Sequence, residues 1–113
     1  MADHIKIREA SGTWVVRAAG AVIGETKNAL ELSEGDYPPV IYIPRDDMAM
    51  AFLEKTEMTS TCPYKGNATY YSIIAKSGEI ANAAWSYEDP IAGMEQIQGH
   101  LAFFKDKAAV EEV

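Results

Sequence analysis

Ala68-Thr69-Tyr70-Tyr71-Ser72-Ile73-Ile74-Ala75-Lys76-Ser77-Gly78-Glu79-Ile80-Ala81-Asn82-Ala83-Ala84-Trp85-Ser86-Tyr87 is the stretch that decides the fold class. Tyr70, Ser72 and Ile74 alternate with Thr69, Tyr71, Ile73 and Ala75, the period of a strand, and Ser77-Gly78 supplies a tight turn. The return run puts Ala81, Ala83, Trp85 and Tyr87 on one side and Ile80, Asn82, Ala84 and Ser86 on the other, until Pro90 ends it. Two alternating runs joined by a two-residue turn read as a β-hairpin, and their pairing should bring Trp85 beside Thr69 or Tyr71. Asn82 then falls on the opposite face.

Upstream of the hairpin, Thr61-Cys62-Pro63-Tyr64-Lys65-Gly66-Asn67 reads as a loop, because Pro63 and Gly66 punctuate it. Before it the period changes. Met48, Ala51, Phe52 and Lys55 recur at helical spacing, Asp46 and Asp47 lead and Lys55 follows, in accord with the helix dipole, so residues 46–55 are expected to form one short helix. Val40-Ile41-Tyr42-Ile43 is a compact β-branched run that reads as a buried strand stopped by Pro44. His4–Arg8, Thr13–Ala19, Ala21–Glu25 and Asn28–Leu32 alternate as further strands; Gly20 stands where a hairpin needs positive φ, and residues 33–36 close a turn. Downstream, residues 99–105 are expected to form a last strand, and 108–113 trail off as a weaker strand or a loose end. About seven short strands and one helix describe a mainly β, antiparallel sandwich or partly open barrel.

The composition bounds the function. A chain of 113 residues fits one domain, and 48% apolar content is ordinary for a globular core. Ten Lys and Arg against seventeen Asp and Glu give a net charge of −7, which argues against a phosphate-backbone binder, so no nucleic-acid partner is expected. The lone Cys62 cannot build a disulfide framework or a four-thiolate zinc site and fits a reducing compartment. The N-terminal run Met-Ala-Asp-His-Ile-Lys has no leader pattern, and no run approaches about 18 apolar residues. A soluble cytoplasmic protein with no membrane partner is therefore expected.

Four ordered motifs then carry a resemblance: Pro39–Asp47 (PVIYIPRDD), Thr61–Tyr71 (TCPYKGNATYY), Asn82–Pro90 (NAAWSYEDP) and Ile97–Phe104 (IQGHLAFF). Together they are similar to the domain of unknown function 427 family, from about Val15 onward. The resemblance implies a β-tent, Mss4-like architecture, and the family also carries a nucleotidyltransferase label. Proteins of β-tent architecture often hold zinc through paired Cys-x-x-Cys knuckles. With Cys62 alone, that metal function does not carry over, and no cofactor is implied.

The candidate chemistries can be weighed on residues. Nucleotidyl transfer needs carboxylates that converge on divalent cations, whereas Asp46 and Asp47 are adjacent and would diverge by roughly 100° on a helix. Glu25, Glu88 or Asp89 would have to complete such a site, and Asp at a helix start is more often a cap. Cys62 is the candidate nucleophile, with Lys65 able to lower its pKa. Pro63, however, removes the backbone N–H that often follows a nucleophile, and lone cysteines commonly pack as small apolar groups. His4 and His100 offer no metal-ligand spacing.

What remains is a binding site. Arg45, Lys65, Tyr64, Tyr70, Tyr71, Trp85 and Tyr87 combine cations with amphipathic aromatics, the mix that lines pockets for planar or anionic small molecules. The expected cleft joins the Pro44–Asp47 helix start, the Thr61–Gly66 loop and the Trp85–Tyr87 strand end, with Arg45, Asp47, Thr61, Cys62, Tyr64, Lys65, Tyr70, Trp85 and Tyr87 as ligand-binding residues. Trp14, Tyr42, Phe52, Phe103 and Phe104 are expected in the core. The alternatives are an enzyme using Cys62 or Asp46 and Asp47, and a homodimeric interaction module formed through an exposed strand edge.

Overall fold

The structure, a computed structural model, describes residues 3–113; Met1 and Ala2, which open the run read above for a leader, lie outside the described residues. Ten strands follow in order: β1 (Ile5–Glu9), β2 (Trp14–Ala18), β3 (Ala21–Thr26), β4 (Leu30–Glu34), β5 (Val40–Tyr42), β6 (Leu53–Cys62), β7 (Gly66–Ala75), β8 (Gly78–Ser86), β9 (Ala102–Phe103) and β10 (Ala109–Glu112). They form three antiparallel sheets ordered β1-β4-β5, β10-β2-β3 and β6-β7-β8-β9, with no closed barrel, an arrangement compatible with a β sandwich. Among the described residues, no helix is long and apolar enough to cross a membrane.

Two buried clusters hold the sheets together. The first gathers Val16, Ile23, Ile43, Tyr71, Ile73, Leu101 and Phe103 with their neighbours. The second gathers Ile5, Leu32, Tyr42, Ala68, Tyr70, Tyr87 and Ile97. Tyr70 and Tyr71 are adjacent on β7 and belong to different clusters, so the four-stranded sheet separates the two, as strand alternation dictates.

The helix expected over 46–55 does not form. Arg45–Asp47 and Met50–Phe52 are single 3₁₀ turns, and from Leu53 the chain is already strand. Long-range pairing outweighs the local period: Met48 bridges Gly24, the Ala49 N–H donates to Ile23 O at 2.8 Å, and Leu53–Lys55 pair with Ile73–Tyr71. A helix of so few turns gains too little to compete with ladder bonds. Gly24 permits the crossing, since a Cβ there would lie 2.4 Å from the Met48 sulfur. The rest of β6 gave no alternating signal because, as an edge strand, most of it is exposed on both faces.

The hairpin forms as β7 and β8, but its register differs. Ala81, Asn82 and Ala83 oppose the single Ser72, with Asn82 at φ +49° and its N–H donating to Ser72 Oγ at 3.0 Å. This bulge shifts the register by two residues and interrupts the alternation only at Ala83, leaving Ile80, Ala84 and Ser86 on one face. Ala83 and Ala84 both reach the first cluster, and Trp85 pairs with Tyr70 rather than Thr69 or Tyr71. Trp85 and Tyr87 thereby share the Tyr70 face, while Ala84 and Ser86 share the Tyr71 face.

Other boundaries moved less. The turn at Ala19-Gly20 has φ of 50° and 79°, as the hairpin requires. The fourth strand runs to Glu34, two residues past the expected end, so Ser33 and Glu34 are ladder residues opposite Lys6 and Ile5. The run 99–105 keeps only Ala102–Phe103 as strand.

Candidate functional site

On the Tyr70 face, the edge of the β1-β4-β5 sheet meets β7, β8 and the residue after β9, leaving an open cleft of about 290 Å³. Tyr42, Lys65, Trp85 and Tyr87 line its depth; Glu34 and Phe104 contribute from either side, and Tyr37 and Pro38 stand at its rim. Each deep residue is placed by backbone geometry. The Lys65 N–H closes a turn on Cys62 O at 3.3 Å, and Lys65 O accepts from Ile91 N at 2.9 Å. Gly66, at φ +116°, lets the chain leave that turn alongside the Asp89–Ile91 backbone.

Lys65 is the unusual group. It is only 7% exposed, and its Nζ donates to Glu34 Oε1 at 2.6 Å while lying 5.9 Å from the centre of the Tyr87 ring. Burial pulls its ammonium toward neutrality, but the Glu34 hydrogen bond and the charges of Cys62, Glu34 and Tyr42 outweigh it and hold the pKa above the ordinary lysine value. His4 also faces Glu34, with Nε2 3.7 Å from the carboxylate, and Tyr64 packs edge-on against His4.

The aromatic wall is ordered by its own contacts. Trp85 Nε1 donates to the Tyr42 hydroxyl at 3.2 Å, and Tyr70 shares a 2.8 Å hydrogen bond with Ser60. Phe104 stacks near-parallel on Tyr70 at 6.3 Å and leans on Trp85 at 4.7 Å, yet remains 36% exposed. Burial pushes the phenols of Tyr42 and Tyr87 well above the ordinary value, so both keep their protons near neutral pH.

Donor capacity is left over at this site. Lys65 offers three N–H groups and one is taken by Glu34. The Tyr42 hydroxyl accepts from Trp85 Nε1, which leaves its own O–H to donate, and the Tyr87 hydroxyl is a second donor in the lining.

Four of the residues proposed from sequence thus share the cleft: Lys65, Tyr70, Trp85 and Tyr87. Cys62 packs against the second cluster but does not line the hollow. Thr61 is exposed and donates to Asn67 Oδ1, and Tyr64 is a surface residue against His4. Asp47 is occupied by structure, accepting from Thr26 Oγ1 at 2.6 Å, and Asp46 is exposed.

Arg45 does not join them. It sits on the opposite face of the sheet, donating to Glu88 at 2.8 Å, Gly99 O at 3.1 Å, the Tyr71 hydroxyl at 3.2 Å and Ser86 at 3.4 Å. The expected convergence of Arg45 with Lys65 and Trp85 is therefore corrected: Trp85 and Ser86 are consecutive strand residues on opposite faces of the sheet, and Arg45 follows Ser86. Tyr71 also donates to Glu88, whose other oxygen lies 3.6 Å from Lys55 Nζ. Burial alone would raise Glu88, but the Tyr71 hydrogen bond and the Arg45 and Lys55 charges hold its carboxyl below the ordinary value.

A carboxyl lowered on folding contributes stability above its unfolded pKa of about 4.3, and that contribution is lost as pH falls through the folded value. Glu88→Gln is therefore expected to lose stability at pH 7 and to lose less than the wild type on acidification from pH 6 to 3. Urea midpoints across that range check it; parallel wild-type and variant curves contradict it.

Sequence reasoning missed Glu34, read as part of a turn, and assigned Tyr42 and Phe104 to the core. Tyr42 is buried at 1% exposure yet lines the cleft floor, whereas Phe104 and Phe52 are exposed. Among the described residues, no three His, Cys, Asp or Glu side chains are grouped to hold a metal ion.

Comparison with known families matches residues 6–113 to Domain of unknown function (DUF427). The chain belongs to the DUF427 family. No curated protein matches it. The DUF427 match spans every strand that builds the cleft, and the residues of its three main walls lie within the matched range.

Proposed function

We propose that this DUF427 chain binds a small planar carboxylate in the Lys65 cleft. The observation that carries the reading is the nine-tenths-buried Lys65 ammonium at the floor of an aromatic hollow, with more donors around it than the protein satisfies. Two spare N–H groups and two phenol protons match the roughly four lone-pair sites of a carboxylate. A lone carbonyl would leave about half of them unmet. Trp85 and Phe104 offer ring faces at the cleft wall, suited to a planar body. Because Glu34 fixes Lys65 in advance, little side-chain entropy is lost when a ligand arrives. Catalysis is not required by this arrangement.

Tryptophan fluorescence titration with benzoate tests the reading, since Trp85 lies in the cleft wall. Benzoate should quench the wild type saturably and bind Lys65→Met at least about tenfold more weakly, the loss of one charge-assisted contact. Glu88→Gln, on the other face of the sheet, should match the wild type. Equal affinity in wild type and Lys65→Met rejects the reading.

A further inference from the structure

A second hollow, of about 400 Å³, adjoins the first, and the two share Val40, Trp85 and Phe104. It lies where the edge strands of two sheets, β5 and β10, approach each other across Phe103. Ile41 on one wall and Val110 on the other both pack against the first cluster, and Ala108 contributes beside them. Lys105 and Glu111 are its only charged side chains, and both are exposed. Unlike the Lys65 cleft, this hollow places no buried polar side chain against an occupant.

We propose that the ligand of the Lys65 cleft is an amphiphilic planar acid, whose unbranched apolar substituent crosses the Trp85–Phe104 pair and lies in the groove between Ile41 and Val110. The inference rests on the carboxylate reading of the first cleft and adds the class of substituent. Three observations carry it. The hollows adjoin along the shared side chains Val40, Trp85 and Phe104, so one molecule laid across that pair of rings can reach both. Phe104 is left 36% exposed between them, an apolar surface that a tail crossing there would cover. Together the two volumes fall within the range of about 300–1,000 Å³ that holds drug-sized ligands. Charge pairing fixes the head at Lys65, and the absence of polar partners beyond Phe104 requires a hydrocarbon there.

The test is a series of benzoates carrying 4-alkyl chains from methyl to butyl, titrated against wild type, Ile41→Phe and Val110→Phe. Either variant fills the groove from one wall with a residue at home in strands, and thermal melts establish that each is folded. Affinity in the wild type should rise by roughly fourfold per methylene, the transfer value for a buried CH₂. In whichever filled variant is folded the rise should flatten to under about threefold in all, with benzoate itself binding as in wild type. Lys65-dependent benzoate binding without any gain from the alkyl chain overturns the inference and leaves the first reading standing. A gain that persists in both filled variants also overturns it. Benzoate binding that ignores Lys65→Met removes the first reading and the inference with it. A dimer of the free protein that dissociates on Val110→Phe would assign the groove to a second copy of the chain, and would overturn it too.

Discussion

Replacing Gly66 by alanine is expected to destabilise the protein by about 3 kcal/mol, as the sum of backbone strain and overpacking. At φ +116° the residue lies outside the left-handed helical well that other residues visit. A Cβ there would also stand 3.3–3.4 Å from Ile91 N, Asp89 O and Pro90 Cα, all backbone atoms that cannot rotate away. Relief requires the Asp89–Ile91 segment to retreat, which strains the hydrogen bond from Ile91 N to Lys65 O. Gly35 is the matched comparison, with φ +52° and nothing within 4 Å of the added carbon. Gly35→Ala should cost only the left-handed penalty of about 1 kcal/mol. Urea midpoints of the two variants decide the matter: if Gly66→Ala costs no more than Gly35→Ala, the close approach of the two backbones contributes nothing.

The second large effect lies in the Lys65–Glu34 pair, and it should be asymmetric. The Lys65 side chain is 9% exposed and that of Glu34 is 25% exposed. Removing the carboxylate therefore strands the more deeply buried charge. Glu34→Met is expected to cost about 3 kcal/mol and Lys65→Met about 2, with the double variant less destabilised than Glu34→Met alone, because no unpaired charge remains. An additive double variant would contradict this coupling.

The pH dependence follows from the same pair. Lys65 is raised in the folded protein, so its contribution is complete below the unfolded pKa of about 10.4 and is lost as pH rises through the folded value. In Glu34→Met the partner that raises it is gone and burial acts in the opposite direction. The folded state then binds fewer protons than the unfolded state below that pKa, and stability rises with pH. Guanidinium midpoints at pH 7 and 9.5 should move in opposite directions for the two proteins, or stay flat for the wild type while rising for the variant.

The aromatic and cationic composition of the cleft was legible because residues 61–71 and 82–90 carry it in short, dense runs. Lys65, Tyr70, Trp85 and Tyr87 lie close to one another across a single antiparallel pair, and local alternation reaches that far. Glu34 escaped notice because the strand ending at Glu34 finishes in Ser-Glu, residues that read as turn formers when considered alone. Arg45 was drawn into the wrong cluster for a different reason. Its partners Tyr71, Ser86, Glu88 and Gly99 lie 26 to 54 positions away, beyond the reach of any local pattern around the Pro44–Asp47 stretch. The helical spacing at Met48, Ala51, Phe52 and Lys55 is real, but Met48 bridges Gly24 in extended backbone, Ala51 and Phe52 share one 3₁₀ turn, and Lys55 lies at the start of an edge strand.

By itself the sequence determined that this chain is mainly β and antiparallel, that its strands turn at Gly20 and close to Ser77, with the turn itself formed by Lys76-Ser77 rather than Ser77-Gly78, and that rings and a cation gather around Lys65. These follow from alternation and turn chemistry, which act over a few residues. Only the tertiary structure decided the partner of Lys65, the side of the sheet that Arg45 takes, and the joining of two hollows at Trp85 and Phe104. Each depends on contacts between residues some twenty to fifty positions apart, such as Lys65 with Glu34 and Arg45 with Glu88. At that range the outcome is set by which strands pair and where they end, while the local pattern that encodes each strand is unchanged.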